Sequence, residues 1–447
     1  MKSSSPYLLI LLILFFFSCS KDKGDPPFCA DCPVITSISP TIGKSGDTVT
    51  INGSHFAVSG NRIRFNGKET KTIQESETLI KAYVPANCGT GPVTLQRPEQ
   101  QLSNQNIIFT EIYKFTVSTY AGMPGSGNWY DGSITYCFLN TPSALAIDRE
   151  GSLLICDEKN YCVRKISNGM ISTIAGKHGV AGYMNSPDPL NALFNTPVGL
   201  AANSSNSIFI SDHKNHSIRN LAPIGFVTPS SGDPQLPGYA NGTGAAAHFN
   251  YPGRMIMLDD NTFAIADSAN NRIRKSTIKG EVTLLAGNGK PGGTNGDANA
   301  ASFNSPFGMV LLDSKTLLLA DAGNAKIRSI NLVSGEVKDF AGYGKPGFFN
   351  GTLERAMFNN PSGIAVRDMN GKKEIFIADT DNNMIRMIDS ENNVSTVVGD
   401  LQPGSTNGDG LAARLNGPAD LVFDPVNNGI LYVSDRKNHT IRKIIIE

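Results

Sequence analysis

The chain has 447 residues, enough for two or more domains because one domain usually takes roughly 100–200 residues. Its 39 basic and 39 acidic side chains balance, so the chain lacks the basic excess typical of nucleic-acid binding and the polybasic run that holds an anionic membrane. Many glycines and prolines and short apolar runs favour short strands and turns over long helices. We therefore predict an all-β fold without a nucleic-acid partner.

The N-terminus has the pattern of a signal peptide over residues 1–18. Its apolar run from Tyr7 to Phe17 is too short to span a bilayer, which takes about 20 apolar residues. The FFFSC that ends the run resembles the lipobox of bacterial lipoproteins, which implies that Cys19 is lipidated and that the lipid is the only membrane anchor. The alternative is a secretory signal with an incidental cysteine, since Phe17 is bulkier than the lipobox pattern prefers.

Residues 19–32 read as the tether of such a lipoprotein. SKDKGDPP is charged and contains proline, as a spacer should. The Lys-Asp pair close behind Cys19 resembles the export signal of surface lipoproteins in Bacteroidetes-type bacteria. This resemblance implies an outer-membrane protein at the cell surface, with a periplasm-facing anchor as the second choice.

Residues 33–111 carry short alternating strands separated by turn signals. The stretches TSISP, GDTVTINGSHF, RFNG and VPANCGTGPVTL resemble the IPT/TIG domain, which implies a small immunoglobulin-like sandwich. Such domains bind, brace or space their neighbours. We favour a spacer over a binding role.

Residues 112–447 contain a repeat, and a regular period of this length is typical of propellers and solenoids. Six segments align with IFISDHKNHSIRNL, and their aspartates are spaced by 55, 55, 54, 58 and 56 residues. An Asn-x-Pro element and an apolar strand precede each aspartate. The aspartates are Asp157, Asp212, Asp267, Asp321, Asp379 and Asp435.

The sequence NPSGIAV followed by IFIADTDNNMIRMI resembles the NHL repeat, which implies a six-bladed β-propeller with four strands in each blade. The last unit ends without its fourth strand, and FTVSTYAG at 115–122 is such a strand standing before the first unit. We therefore predict that this N-terminal strand completes the last blade and closes the ring, which removes exposed sheet edges.

The repeated Asp, Asn and Arg residues occur in all six units, so we interpret them as structural. We expect the aspartate and the asparagine three residues later to bond backbone groups of a tight turn, and the arginine to pair with nearby carboxylates. The units differ most in the connections from the fourth strand of one to the first of the next. These connections run about twenty residues and should lie on the same face as the turns, which makes that face the candidate binding surface.

Aromatic side chains in these connections are the candidate ligand-binding residues, because flat rings flanked by Asn, Asp and Gly suit the stacking of sugar rings. We take the single tryptophan as the preferred anchor, acting with the tyrosine beside it. The alternative is that these rings pack the loops together. The set is Trp129, Tyr130, Tyr136, Tyr183, Tyr239, Tyr343, Phe348 and Phe349.

The sequence predicts no catalytic residue, metal site or cofactor. Some propellers of the NHL type are lyases that hold a metal with several histidines, but the six histidines here are scattered over blades and domains. His216 and His439 occupy equivalent turns of blades that are not neighbours. His213 and His216 could chelate a metal locally, but a solvated turn is the favoured interpretation.

Cysteines favour an oxidising compartment. Beside Cys19, six remain, and we expect Cys156 to pair with Cys137 or Cys162, and Cys88 to pair with Cys29 or Cys32. Cys137 and Cys156 replace small residues of other blades and should point inward. The spacing leaves the connectivity open.

Three functions follow from these observations. The first is a surface module that binds extracellular polysaccharide, which resembles the outer-surface helpers of polysaccharide-uptake systems. The second is a scaffold that binds a surface protein, which buried loop aromatics would favour. The third is an extracellular lyase or hydrolase, which acidic or histidine side chains around the channel mouth would favour.

Replacing Cys19 by alanine should move the protein from the membrane fraction to the soluble fraction, because the lipid is the only anchor that the sequence predicts. Fractionation together with acyl labelling measures this, and Cys32→Ala is the matched control in the same tether. Membrane association of the Cys19→Ala variant, with no acyl label on the parent, contradicts the lipoprotein interpretation.

Overall fold

The computed structural model describes residues 32–86, 88–98, 103, 107–369 and 371–447. The proposed signal peptide and nearly all of the tether, including Cys19, lie outside these residues. Strands dominate the described residues and the helical segments are single 3₁₀ turns, so the all-β prediction is confirmed. None of these helical segments has the length and apolar character of a bilayer-spanning helix.

The N-terminal part forms two sheets that share one apolar core. One sheet has the order β1-β3-β7-β6 and the other β2-β9-β8-β4-β5, with β2 and β9 parallel. Alternate residues such as Val49, Ile51, Ile63 and Phe65 point into the core between the sheets. The strands are β1 (Val34–Ser39), β2 (Ile42–Gly43), β3 (Thr48–Ser54), β4 (Arg62–Phe65), β5 (Lys68–Thr70), β6 (Thr72–Glu75), β7 (Leu79–Tyr83), β8 (Gly91–Gln96) and β9 (Ile108–Glu111).

The rest of the chain forms six antiparallel sheets, which we number I to VI in chain order. The strand β10 (Phe115–Ala121) comes before sheet I. Sheets I to III comprise β11 (Gly132–Ser133), β12 (Pro142–Ile147), β13 (Leu153–Asp157), β14 (Cys162–Ser167) and β15 (Met170–Ala175); β16 (Pro197–Ala202), β17 (Ile208–Asp212), β18 (Ser217–Leu221) and β19 (Val227–Ser231); and β20 (Gly242–Thr243), β21 (Pro252–Asp259), β22 (Thr262–Asp267), β23 (Arg272–Thr277) and β24 (Glu281–Ala286).

Sheets IV to VI repeat this plan. They comprise β25 (Pro306–Asp313), β26 (Thr316–Asp321), β27 (Lys326–Asn331) and β28 (Val337–Ala341); β29 (Gly351–Thr352), β30 (Pro361–Met369), β31 (Lys372–Asp379), β32 (Met384–Ile388) and β33 (Asn393–Val398); and β34 (Gly408–Asp409), β35 (Pro418–Phe423), β36 (Ile430–Asp435) and β37 (Thr440–Ile446). Within the described residues each sheet is open rather than closed into a barrel.

In every sheet a 3₁₀ turn joins the second and third of the four long strands, directly after the repeated aspartate. In sheet I these strands are β13 and β14. These turns are Glu158–Asn160, His213–Asn215, Ser268–Asn270, Ala322–Asn324, Thr380–Asn382 and Arg436–Asn438. Three more 3₁₀ turns lie in the connections, at Pro189–Asn191, Gly244–Ala246 and Gly410–Ala412.

The predicted pairing of the N-terminal strand with the last sheet is present. Strand β10 runs antiparallel to β37, and Val117 lies opposite Ile444. Backbone bonds between Lys114 and Glu447 extend this ladder to the last residue. Residues from the two ends of the repeat region therefore form one sheet.

The six sheets follow one another in a circle. Each sheet has one strand that contacts its counterpart in the next sheet, and β35 of sheet VI contacts β12 of sheet I. These strands are β12, β16, β21, β25, β30 and β35. An apolar layer fills each of the six spaces between successive sheets, and Tyr432 and Ile441 of sheet VI share one layer with Leu145 and Ile155 of sheet I. This arrangement is propeller-like.

The long connections run between neighbouring sheets and return along the outer edge of the sheet they enter. In sheet I, for example, β11 in connection 122–141 pairs with β15, the fourth strand of the same sheet. Sheets II and IV have single bridges at the equivalent place, Ser186 to Val227 and Gly296 to Val337. Each connection therefore covers the backbone of an edge strand.

The predicted disulfides of sheet I are wrong. Cys156 lies opposite Val163 and Cys162 opposite Asp157 across the β13–β14 ladder, so the two cysteines point to opposite faces of the sheet. Cys137 packs on the sheet VI side of sheet I, whereas Cys156 packs on the sheet II side. All three are buried thiols, which confirms that Cys137 and Cys156 point inward.

Cys88 is also a buried thiol, and the predicted pairing of Cys88 with Cys29 or Cys32 is absent from the described residues. Cys29 lies outside them. Burial raises the pKa of Cys156 and of Cys162 well above the ordinary range of a thiol.

The N-terminal sheets are joined to sheet V by side-chain contacts. The Tyr113 hydroxyl donates to Glu374 Oε1 at 2.7 Å, and Lys372 Nζ donates to the carbonyl oxygen of Thr90 at 2.7 Å. The buried Arg367 pairs with Glu374 and stacks over the Tyr113 ring at 4.6 Å. These contacts lie where β30 turns into β31, at the opposite end of sheet V from the long connection.

Deleting residues 113–121 should lower the free energy of unfolding by at least roughly 3 kcal/mol, because the deletion removes buried apolar side chains and exposes an edge of sheet VI. Urea denaturation measures the loss. Deletion of residues 20–28, an equal length of the tether, is the control. Equal stability of the two deletion variants would show that β10 is not needed to complete the circle of sheets.

Candidate functional site

Each sheet contains the same buried cluster around its repeated aspartate. In sheet II, Asp212 accepts from the backbone N–H of Asn195 at 2.7 Å, from Asn215 Nδ2 at 2.9 Å and from Arg219 Nη1 at 2.9 Å. The arginine side chain is fully buried in all six sheets. The six arginines are Arg164, Arg219, Arg274, Arg328, Arg386 and Arg442.

The other donors of each cluster hold the long connection. Asn215 Nδ2 also donates to the carbonyl oxygen of Gly182, and Arg219 Nη2 donates to the carbonyl of Met184 and to Asn185 Oδ1. The same three bonds recur in the other sheets, as with Arg442, which donates to Thr406 and Asn407. The repeated residues therefore fix the candidate binding surface to the rigid sheets.

Burial dominates the electrostatics of these clusters. It raises the pKa of Asp157 and of Asp212 to about 6, although the arginine and the amide donors act in the opposite direction. The pKa values of the other four repeated aspartates are also raised by burial. A carboxylate in this position depends on its arginine.

Four of the predicted ligand-binding aromatics share one place in the repeat. They stand two residues before the Asp or Asn that accepts from the buried arginine, and their rings cover its guanidinium. Tyr183 lies 4.3 Å from the guanidinium of Arg219, and Phe194 lies 5.2 Å from it. The four are Trp129, Tyr183, Tyr239 and Phe348.

Trp129 is half-buried and already has protein partners. Its Nε1–H donates to Thr173 Oγ1 at 3.0 Å, and its ring stacks on His178 with centroids 3.8 Å apart. Much of the stacking surface and the hydrogen-bond donor that the sequence suggested for a ligand are therefore used by β15 and by the next connection.

The most exposed predicted aromatics form two groups. Tyr130 and Tyr136 meet edge to face at 5.8 Å in the connection entering sheet I, and Tyr136 is 60% exposed. Tyr343 is 58% exposed in the connection entering sheet V, where Phe348 and Phe349 are also exposed. Because sheets I and V are the two neighbours of sheet VI, the groups flank the connection that enters sheet VI.

A salt bridge crosses the centre of the circle. Arg254 at the start of sheet III pairs with Asp420 of sheet VI, the opposite sheet, and its Nη2 donates to the carbonyl of Ser143 at 2.7 Å. Burial lowers the pKa of Arg254 and raises that of Asp420, and each shift is opposed by the charge of the other residue. The equivalent residues of the other sheets are Ala144, Gly199, Gly308 and Gly363.

The pair divides the central channel into two cavities. Beyond it, away from the 3₁₀ turns, a cavity of about 330 Å³ is lined by aliphatic side chains such as Leu145, Met255 and Leu421. On the side of the 3₁₀ turns, a cavity of about 320 Å³ opens toward the long connections. We call this second cavity the channel mouth.

Polar side chains line the channel mouth, and of these the sequence analysis had singled out only His213, as a turn residue. Glu158 accepts from Arg436 Nε at 2.9 Å and Nη2 at 2.8 Å, and His213 stands beside this pair with its Nδ1 3.0 Å from the carbonyl of Pro252. The lining also includes Phe307 and several serine and threonine residues. The sequence signal was the residue after each repeated aspartate, which differs from sheet to sheet.

The histidines at equivalent turn positions, His216 and His439, bond the backbone of the following sheet. His216 Nδ1 accepts from the backbone N–H of Tyr251 at 3.2 Å, and His439 Nδ1 accepts from that of Thr141 at 3.1 Å. Asn271 and Asn383 link their sheets to the next in the same way. Tyr161 and Ala325 stand at this place in sheets I and IV, where no such bond is found among the described residues.

No group of three or more His, Cys, Asp or Glu side chains suited to a metal occurs among the described residues. Burial lowers the pKa of His213, which favours the neutral imidazole at neutral pH.

Two family models match parts of the chain. The IPT/TIG domain matches residues 33–110, and the NHL repeat matches residues 194–219. Both families were predicted from the sequence, and both are found in the chain.

Curated relatives match part of the chain at low identity. SUPPRESSOR OF QUENCHING 1 of Arabidopsis thaliana is 29% identical over 286 residues, which are 60% of this chain and 27% of that protein. NHL repeat-containing protein 2 of Homo sapiens is 28% identical over 301 residues, which are 60% of this chain and 41% of that protein. The chain therefore spans less than half the length of these relatives.

Solved structures of similar fold cover nearly the whole chain. A Bacteroides thetaiotaomicron protein of unknown function has a TM-score of 0.62 and 18% identity, covering 95% of this chain and 99% of its own. Auxiliary nutrient binding proteins of Bacteroides thetaiotaomicron and Bacteroides ovatus have TM-scores of 0.58 and 0.57 and identities of 16% and 14%, each covering 93% of this chain and 98% of its own. At these identities the likeness shows the fold alone.

Replacing Arg219 by methionine should cost roughly 3–5 kcal/mol near neutral pH, because it leaves the Asp212 carboxylate buried without a counter-charge. A carboxyl group whose pKa is higher in the folded state than in the unfolded state stabilises the folded protein at pH values below the unfolded pKa. This stabilisation is lost as the pH rises through the folded pKa. Loss of the arginine raises the pKa of Asp212 further, so the deficit of the variant should shrink as the pH falls toward about 5.

Urea denaturation at several pH values measures this deficit. The exposed Arg149, replaced by methionine, is the matched control. A deficit that is absent, or that stays constant with pH, would show that Arg219 does not stabilise the ionised Asp212.

Proposed function

We propose that this protein is a surface-anchored binding lipoprotein that recognises extracellular glycan through the face formed by its long connections. In this proposal, sheets I to VI are the blades of a six-bladed β-propeller closed by β10. Residues 33–111 are an immunoglobulin-like sandwich that spaces the propeller from the lipid on Cys19. Residues 112–447 are the binding domain.

The exposed aromatic groups carry the proposal. Tyr130 and Tyr136 on one side of sheet VI, and Tyr343 and Phe349 on the other, present ring faces to solvent on a surface held by buried hydrogen bonds. Sugar rings stack their C–H faces on such rings and bond neighbouring amides and carboxylates. Rigid support makes the geometry of such a site reproducible.

A binding role agrees with the names of two solved structures of similar fold, which are auxiliary nutrient binding proteins from Bacteroides species. The N-terminal lipobox resemblance supports an outer-membrane location at the cell surface, with the lipid as the only membrane contact. A polar tether followed by a small β domain would hold the propeller away from the membrane.

A protein-binding scaffold is the second candidate, and one observation favours it. Four of the eight predicted aromatics cover buried arginines, and Trp129 has its donor and one ring face occupied by Thr173 and His178. Rings used in this way organise the surface without binding sugar. The partner would then be a surface protein.

The test of glycan recognition is Tyr136→Ala. We expect it to weaken the binding of the recognised polysaccharide by roughly 1–3 kcal/mol, by analogy with the loss of one stacking platform, and to leave the melting temperature nearly unchanged because the ring is mostly exposed. A glycan array of the full-length chain in mild detergent selects the polysaccharide, and calorimetry measures the affinity. Trp129→Ala should weaken binding and also lower the melting temperature.

The matched control is Tyr83→Ala, which removes an exposed tyrosine from the N-terminal sheets. If no glycan is retained on the array, or if Tyr136→Ala and Tyr83→Ala bind the polysaccharide equally well, glycan recognition by the exposed rings is refuted and the scaffold becomes the better proposal.

A further inference from the structure

The channel mouth differs from the rest of the repeat in one respect. The residues that follow the repeated aspartates occupy one structural position, yet all six are different. They are Glu158, His213, Ser268, Ala322, Thr380 and Arg436. Because the fold accepts different side chains at this position, their identities can be adapted to a ligand.

The mouth is rich in hydrogen-bond acceptors. Ser268 donates its hydroxyl proton to the carbonyl of Pro306, which leaves the oxygen lone pairs unused by this bond. Thr380 donates to the carbonyl of Pro418, and its oxygen also shares a hydrogen bond with Ser362 Oγ at 2.6 Å. His213 Nδ1 must donate to the Pro252 carbonyl, so Nε2 of the neutral ring is an acceptor. A ligand that fits must bring several donors of its own.

Two unused donors complement these acceptors. Arg254 is almost fully buried, and its Nε has no hydrogen-bond partner in the part of the chain that the structure describes. Arg436 uses Nε and Nη2 for Glu158, which leaves Nη1 for a ligand. An unpaired buried donor is costly, so a ligand oxygen at this place would be stabilised.

The mouth carries no net charge. Arg254 is balanced by Asp420 and Arg436 by Glu158, and His213 is neutral at neutral pH. A ligand that brought an unbalanced charge into this partly buried space would be desolvated without a counter-charge. The complementary ligand is therefore uncharged.

The mouth is also blind. The Arg254–Asp420 pair and the Phe307 ring, which packs on the Arg254 guanidinium at 5.3 Å, form its floor. Its volume of about 320 Å³ lies at the small end of ligand pockets, which run from roughly 300 to 1,000 Å³. It admits one small ring, and a polymer cannot thread through it.

We propose that the channel mouth binds the terminal sugar ring of a neutral glycan chain or branch, with its hydroxyl groups donating to Glu158, His213 and the serine and threonine oxygens and accepting from Arg254 and Arg436. The Phe307 ring lies against the sugar's C–H face. The inference rests on the proposed glycan recognition and assigns chain ends to the mouth, whereas the exposed aromatic rings bind the length of the chain.

The test is the binding of small neutral sugars to the full-length chain in mild detergent. Methyl glycosides of glucose, galactose, mannose, xylose and N-acetylglucosamine are compared with methyl glucuronide and glucosamine by saturation-transfer NMR, and the best binder is then titrated. We expect a neutral glycoside to bind best. Glu158→Gln should weaken it about tenfold through loss of charged acceptor bonds.

A steric variant gives an independent measurement. Ala322→Trp fills the mouth from a turn where no side-chain hydrogen bond is lost, and it should abolish glycoside binding. Ala269→Trp places the same indole on the exposed side of an equivalent turn and should leave binding unchanged. Tyr136→Ala should weaken binding of the polysaccharide but leave binding of the glycoside unchanged.

The outcomes separate the inference from the proposed function. Absence of binding by every neutral glycoside, tighter binding of the glucuronide or the glucosamine, or equal effects of the two tryptophan variants overturns the inference. Polysaccharide binding that persists in Ala322→Trp, with no glycoside bound by the parent, overturns the inference and leaves the proposed function standing. Glycoside binding blocked by Ala322→Trp, without any polysaccharide retained, supports the mouth as a sugar site and refutes recognition along the chain.

Discussion

A buried carboxylate that must be satisfied governs each of the six sheets. Asp212 and its equivalents lie in a dry interior, where a charge is costly without partners. One partner comes from the Asn-x-Pro element, one from the 3₁₀ turn and one from the third strand, so three separate segments are held at one point. The spare donors of the same Asn and Arg then hold the long connection. One interaction therefore orders the sheet and the surface above it.

The surface above the sheets has a constant part and a variable part. The backbone of every connection is fixed by the same bonds, so the side chains between the bonding points are free to differ. Rings that cover the arginines, such as Tyr183, serve the fold. Rings that stand outside that position, such as Tyr136, cover no buried arginine and are more exposed.

Much of this could be predicted from the sequence, because period and spacing survive without coordinates. The six aspartates, the strand count and the pairing of residues 115–121 with the last sheet all follow from the repeat. The position that binds each arginine was also present, as Asp131, Asn185 and their equivalents before a glycine or serine in every connection. Its distance from the repeated aspartate varies between sheets, which obscures it in the repeat.

Other features depend on geometry that spacing does not contain. Cys156 and Cys162 are near in sequence, but the pleat turns them to opposite faces. Arg254 and Asp420 break a column of small residues, yet only a ring of six brings the third and the sixth sheets face to face. The polar side chains of the channel mouth have a local signal in the variable residue after each repeated aspartate, but only the circle of sheets brings them to one place.

One kind of hydrogen bond between neighbouring sheets is found at four of the six junctions among the described residues. His216, Asn271, Asn383 and His439 bond the backbone of the following sheet, whereas Tyr161 and Ala325 do not. The two junctions without the link, I to II and IV to V, lie at opposite ends of one diameter, so they divide the ring into two arcs of three sheets. Arg254 and Asp420 stand in the middle sheets of the two arcs, so their salt bridge connects the arcs across the centre and adds to the apolar layers that join them at the two junctions.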